Sequence, residues 1–194
     1  MSDAEKGKNL AGHVCPWWLG YFLITPLRRI LQSPEKILGS YVKPGMTVLE
    51  VGPGMGYFSL WMADAVGADG KVVCVDVQEK MIRALKRRAA KAGVDATIDA
   101  RVCGAADLGV GDLDGQVDFC LVFAVAHEID DVDAMFEQLR RTLKPNATCL
   151  VAEPKGHVGK KDFDNTIGWL AGAGFRVVEH PSVARSHAAL LQRE

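Results

Sequence analysis

The chain has 194 residues, 48% hydrophobic and 24% charged, with a formal net charge of −1. That length fills one well-buried core and is short for two, so residues 1–194 are expected to form a single domain. Lysine and arginine are scattered apart from Arg28-Arg29 and Lys86-Arg87-Arg88, which disfavours a broad phosphate-binding face and, with it, nucleic acid as a partner.

The chain opens with charges of both signs and then the stretch HVCPWWLGYF, residues 13 to 22. The apolar run from Val14 to Ile24 falls well under the roughly 20 residues that cross a bilayer, so no transmembrane segment is expected. The first twelve residues mix Asp3 and Glu5 with Lys6 and Lys8, unlike an export signal. Of five cysteines, Cys74, Cys103, Cys120 and Cys149 fall in or at the end of apolar strand-like segments, where a free thiol packs as a small hydrophobe. An odd count without close spacing fits a reducing cytoplasm.

Cys15-Pro16, Thr25-Pro26 and Ser33-Pro34 each place proline where a first helical turn accepts it. Three short helices are therefore expected, making an N-terminal helical cap over residues 10–41. The first is apolar nearly all round, so it must be buried or must cover something. We read it as a lid over a substrate pocket; it can equally seal an oligomer.

From Thr47 onward, β-branched runs alternate with helical stripes. This predicts an α/β domain: a doubly wound, seven-stranded, mostly parallel sheet. The strand candidates are Thr47-Val51, Lys71-Val75, Thr97-Cys103, Val117-Phe123, Thr148-Ala152, Arg176-Glu179 and Ala188-Gln192. Apolar stripes through Phe58 to Val66 and Met81 to Ala92 predict helices closed by Gly67 and Gly93. A third stripe, Val132 to Leu143, has acids at its start and bases at its end, as the helix dipole prefers, and Pro145 stops it. A last helix is expected from about Asp162 to Ala173.

The informative stretch is VLEVGPGMGYFSLWMA, residues 48 to 63. An apolar strand enters a glycine-rich bend and leaves as a helix, whose free N–H groups and bare backbone suit a ligand. The spacing is Gly52-x-Gly54-x-Gly56 rather than G-x-G-x-x-G, and Glu50 stands two residues before the first glycine. A carboxylate there would repel a pyrophosphate, which disfavours a dinucleotide. Strand two ends at Asp76, where a carboxylate can accept both ribose hydroxyls, so a nucleoside is still expected.

With these features the chain resembles the class I S-adenosylmethionine-dependent methyltransferases, a Rossmann-like family, from about Val42 to Glu194. The resemblance implies S-adenosyl-L-methionine as cofactor. It implies that Glu50, Gly52, Gly54 and Gly56 hold the methionine part and Asp76, with Val77, the ribose. Ala106 and Asp107 would border the adenine, and Phe123 at the end of strand four completes the set. LKPNATCLVAEP, residues 143 to 154, is similar to the family's helix-turn-strand five.

Methyl transfer from a sulfonium needs in-line approach and exclusion of water more than acid or base. Where the acceptor must lose a proton, His127 is the candidate general base and Glu128 the group that orients its ring. Sequences with a similar HEI after strand four point to small-molecule acceptors. A further expectation joins His13 and Cys15, on one side of an extended segment before Pro16, with His127 and His157. Such a set would suit zinc or another thiophilic metal or metalloid. Two other readings stand beside the enzyme: a cofactor-binding or metal-responsive module without transfer activity, and a peripheral membrane enzyme with Trp17, Trp18, Tyr21 and Phe22 in the lipid interface.

Overall fold

A computed structural model describes residues 32 to 194. The helices expected at Pro16 and Pro26, with most of the 10–41 cap, lie outside the described residues, as do His13, Cys15 and the aromatic run. The third expected helix is present as α1 (Pro34–Leu38), with proline in its first turn.

The chain then runs β1 (Thr47–Val51), α2 (Tyr57–Val66), β2 (Lys71–Asp76), α3 (Glu79–Ala92), β3 (Ile98–Val102), β4 (Val117–Phe123) and α4 (Val132–Thr142). It continues through β5 (Leu143–Pro154), α5 (Lys160–Gly172), β6 (Phe175–Glu179) and β7 (Ser186–Arg193). The described residues form one seven-stranded sheet in the order β3-β2-β1-β4-β5-β7-β6. The first five strands pair with one another in parallel, while β7 runs antiparallel between β5 and β6.

Side chains alternate across each strand and so build a core on each face. Leu49, Val73, Val75, Cys120, Val122 and Val151 pack with Phe136 and Leu139 of α4 and with Phe163 and Leu170 of α5. Val48, Val72, Cys74, Phe119, Leu121 and Leu150 pack instead with Phe58 and Met62 of α2 and Ile82 and Leu85 of α3. Each fully buried Leu, Phe or Met among them contributes about 1.5–3 kcal/mol. Glu50 shares the second face, which aims its carboxylate at α2.

The helix ends follow their local chemistry. Gly93 closes α3 at φ 75°, and the Asp131 carboxylate caps α4 by accepting the N–H of Ala134. One boundary differs from expectation. The α4 stripe stops at Thr142, and Leu143 already has extended geometry, φ −66° and ψ 139°. Proline at 145 excludes the helical state at Lys144, and Leu143 gains a partner in Val117. The register then jumps, Phe119 pairing Thr148, with Asn146 at φ 63° inside the excursion. The expected turn therefore survives as an irregularity within β5.

The chain steps outward from β1 to β2 and β3, then returns to place β4 on the other side of β1. That reversal opens a crevice beyond the carboxyl ends of β1 and β4, where sheets of this kind bind ligands.

Candidate active site

A cavity of about 270 Å³ fills the crevice, and its wall includes Glu50, Gly52, Gly54, Asp76, Val77, Ala106, Phe123 and Glu128. Gly54 and Gly56 do different work there. A Cβ on Gly54, at φ +55°, would meet nothing within 4 Å, so this stretch of backbone faces open cavity. A Cβ on Gly56, at φ +83°, would lie 2.3 Å from the Leu85 Cδ1; this glycine lets α2 pack against α3 and stands outside the cavity wall.

Two carboxylates serve the loop. Glu50 is 2% exposed; the Ser59 hydroxyl donates to its Oε2, and the Cys74 thiol lies 3.7 Å from the same oxygen. Asp76 accepts the N–H of Gln78 at 2.8 Å. Burial pushes its pKa up to about 6, against backbone hydrogen bonds from Gln78 and Gly54 that favour the ionised form.

Across the cavity, residues 103 to 109 form a self-bonded loop. The Gly104 N–H donates to the carbonyl of Asp107 at 2.9 Å, and the Asp107 carboxylate accepts the N–H of Gly109 at 2.9 Å. Gln138 of α4 clamps the loop, accepting the Leu108 N–H at 2.9 Å and donating to the Ala106 carbonyl at 3.1 Å. Cys103, expected in the core, is half-buried at the cavity wall, and burial raises its thiol pKa to about 11. The other three strand cysteines are fully buried, as expected.

The opposite end is apolar and aromatic. Phe58 and Phe123 rings lie 4.7 Å apart, and Tyr57 meets Phe58 edge-on at 5.0 Å. Ala124, at φ 57°, swings the chain out of β4 into a short 3₁₀ turn, Ala126–Glu128. On that turn the Nδ1 of His127 bonds Glu153 Oε2, while Glu153 Oε1 accepts the Ala126 N–H at 2.8 Å. Beyond the ring, His127 Nε2 lies 4.0 Å from Glu128 Oε1 and 3.4 Å from His157 Nδ1. The Glu153 hydrogen bond raises the His127 pKa above its ordinary 6.5, burial works against it, and the charges of Glu153 and Glu128 reinforce the rise.

Residues 48–146 match the model of a methyltransferase domain family. The chain belongs to the class I S-adenosylmethionine-dependent methyltransferases. A solved S-adenosylmethionine-dependent methyltransferase of Aquifex aeolicus is 26% identical, with a TM-score of 0.81 over 92% of this chain and 98% of that one. Among curated proteins, the ubiquinone/menaquinone biosynthesis C-methyltransferase UbiE of Hydrogenovibrio crunogenus is 28% identical over 59% of this chain and 44% of its own length. UbiE of Shewanella oneidensis is 27% identical over 64% and 50%. The chain thus spans about half the length of the curated relatives it matches.

S-adenosylmethionine is the cofactor of the family, and the residues around the crevice fit it. Open backbone at Gly54, a carboxylate at Asp76 and the clamped loop at Ala106 lie around one cavity. Eight of the sequence-derived residues stand in its wall: Glu50, Gly52, Gly54, Asp76, Val77, Ala106, Phe123 and Glu128. Gly56, Asp107 and His127 are not part of that wall.

Around His127, the sequence placed Glu128 as the group orienting the ring; in the structure Glu153 holds that ring, and Glu128 lies on its far side. The available signal was the acid near the end of β5, the neighbour of β4, whose following turn carries His127. Of the four residues proposed for a metal, the structure brings His127 and His157 together. His13 and Cys15 lie outside the described residues, among which no group of three or more His, Cys, Asp or Glu is arranged to hold a metal. No helix among the described residues is long and apolar enough to cross a membrane.

Proposed function

We propose that this protein transfers the methyl group of S-adenosylmethionine to a small acceptor seated against Tyr57, Phe58 and Phe123, with His127 as general base. One observation carries the reading: a single cavity joins nucleoside-suited features at Gly54, Asp76 and Ala106 to an aromatic wall beside the 3₁₀ turn of His127. Bound S-adenosylmethionine supplies a methyl group on a sulfonium, whose sulfur keeps the electron pair of the breaking S–C bond as the acceptor forms the new one. The aromatic wall excludes water, which strengthens every electrostatic contact inside. His127, between the wall residues Val125 and Glu128 in sequence, receives the proton from an acceptor that must lose one.

The UbiE relatives are named as C-methyltransferases, which favours a carbon acceptor whose C–H is acidified by its neighbours. We place the enzyme in the cytoplasm, in keeping with its free, mostly buried cysteines.

Isothermal titration with S-adenosylmethionine and its demethylated product tests the first half; both are expected to bind, and a folded chain that binds neither overturns the assignment. Transfer of label from methyl-labelled S-adenosylmethionine to small carbon acids and phenols tests the second. Tight cofactor binding without transfer to any acceptor class would move the assignment to a binding module.

A further inference from the structure

His127 has two ring nitrogens, and a general base is useful only if the correct one is free. In neutral imidazole one nitrogen carries hydrogen and the other accepts it, the choice being set by the partner at the first. Here the partner comes from another strand. Glu153 is the penultimate residue of β5, next to β4, with Ala152 paired to Phe123; its side chain is 5% exposed, against 23% for His127. One Glu153 oxygen is held by the Ala126 N–H, on the same turn as His127, so carboxylate and ring are registered by one piece of backbone. The other oxygen meets Nδ1.

We infer that Glu153 is the positioning residue of this site: it keeps the proton on Nδ1 of His127 and leaves Nε2 as the basic nitrogen. The inference rests on the reading of His127 as base and adds which atom acts and what selects it. An ionised carboxylate only accepts, so Nδ1 must donate. When the acceptor's proton arrives on Nε2, the imidazolium's charge is held against a carboxylate that is already buried and oriented, and nothing has to reorganise. Glu128 and His157 are the other titratable groups facing the ring, both on the Nε2 side. His157 takes the position on Nε2 that an acceptor would have to enter, so neither group sets the tautomer through Nδ1.

The test substitutes Glu153→Gln in the full chain. The introduced amide can still accept the Ala126 N–H through its oxygen, but its NH₂ would present a donor to Nδ1 and force hydrogen onto Nε2. Long-range ¹H–¹⁵N spectra of histidine-labelled protein, assigned through His127→Gln, are expected to show Nδ1–H in the wild type with a pKa above 6.5. In Glu153→Gln the tautomer switches to Nε2–H and the pKa falls below 6.5. The kcat for transfer drops roughly 10²–10⁴-fold, the range for losing a correctly poised base, while affinity for S-adenosylmethionine stays within about twofold. Glu153→Asp keeps the Nδ1–H tautomer and recovers part of the rate.

An unchanged tautomer and pKa in Glu153→Gln, or Nε2–H already in the wild type, overturns the inference whatever the turnover. Absent cofactor binding overturns the functional reading alone. If Glu153→Gln does not fold, the wild-type tautomer and the Glu153→Asp spectrum decide.

Discussion

The two ends of the crevice are built by different means. The cofactor end is made largely of backbone: a bend over Gly52 to Gly56, a strand end at Asp76 and a self-bonded loop around Ala106. The end we propose for the acceptor adjoins side chains brought together across the sheet, Glu153 and His127 being 26 positions apart and His157 and His127 30 apart. Backbone amides serve any ligand with the right shape and charge, and they tolerate drift in side chains. An imidazole held by a buried carboxylate serves only acceptors that need a proton removed. This chain is therefore generic where backbone makes the wall and particular where side chains meet across the sheet.

The sharpest way to break that comparison is His127→Gln, whose amide can still donate to Glu153 and so leaves no buried carboxylate unpartnered. Transfer is expected to slow roughly 10²–10⁴-fold, with affinity for S-adenosylmethionine within about twofold by titration calorimetry. In the wild type the base must be neutral, and its pKa is raised above 6.5. The rate should therefore climb with pH through a value above 6.5, and the limb should vanish in the variant. Stability runs the other way: the contribution of this pair is full below 6.5 and is lost as pH rises through the folded value. A cofactor affinity that falls as steeply as the rate would show the two ends to be one unit.

Legibility in the sequence follows the same division. Strand and helix identities came from periodicity, and the glycine bend and Asp76 from local spacing, because each is encoded by residues near one another in the chain; Ala106 came from the family resemblance. That the missing Cβ of Gly56 faces Leu85 was not legible, because a glycine pattern cannot say which of its positions faces packed protein and which faces open space. Glu153 was legible as the residue just after strand five but not as the partner of His127, because that pairing depends on β4 and β5 lying side by side in a particular register. The early stop of α4 at Thr142 came from the same source, strand pairing of Leu143 overriding a helical stripe.

Within the cofactor end, Asp76→Asn separates binding from stability. The carboxyl is raised from 3.8 to about 6 in the fold, so the folded chain holds its proton more tightly than the unfolded chain does. Ionisation therefore costs stability as pH rises from 3.8 to 6, and the full cost, about 3 kcal/mol as a ceiling, stands above 6. Asparagine removes that cost while still accepting the Gln78 N–H. Thermal melts are expected to place the variant roughly 4–10 °C above wild type at pH 8, the two converging near pH 4. Losing charged hydrogen bonds to ribose should weaken S-adenosylmethionine roughly 10–100-fold, and wild-type affinity should decline as pH falls through 6. A variant less stable than wild type at pH 8 would mean that the ionised carboxylate is already well compensated without ligand.

The smallest effects come from two glycines in one bend, and they refine the comparison most finely. Gly54→Ala and Gly56→Ala each put a side chain at positive φ, for about 1–2 kcal/mol. At 56 the added methyl also presses on Leu85, 2.3 Å away, a flexible side-chain end that yields at further cost, so this variant should melt lower than Gly54→Ala. At 54 the methyl meets no protein atom within 4 Å and instead takes space that ligand would fill. Gly54→Ala should therefore keep more of its stability yet bind S-adenosylmethionine about tenfold more weakly, whereas the folded fraction of Gly56→Ala should bind nearly as wild type. If the order of the two binding effects were reversed, Gly56 rather than Gly54 would be the position that the cofactor approaches, and the backbone surface assigned to it would have to move toward the start of α2.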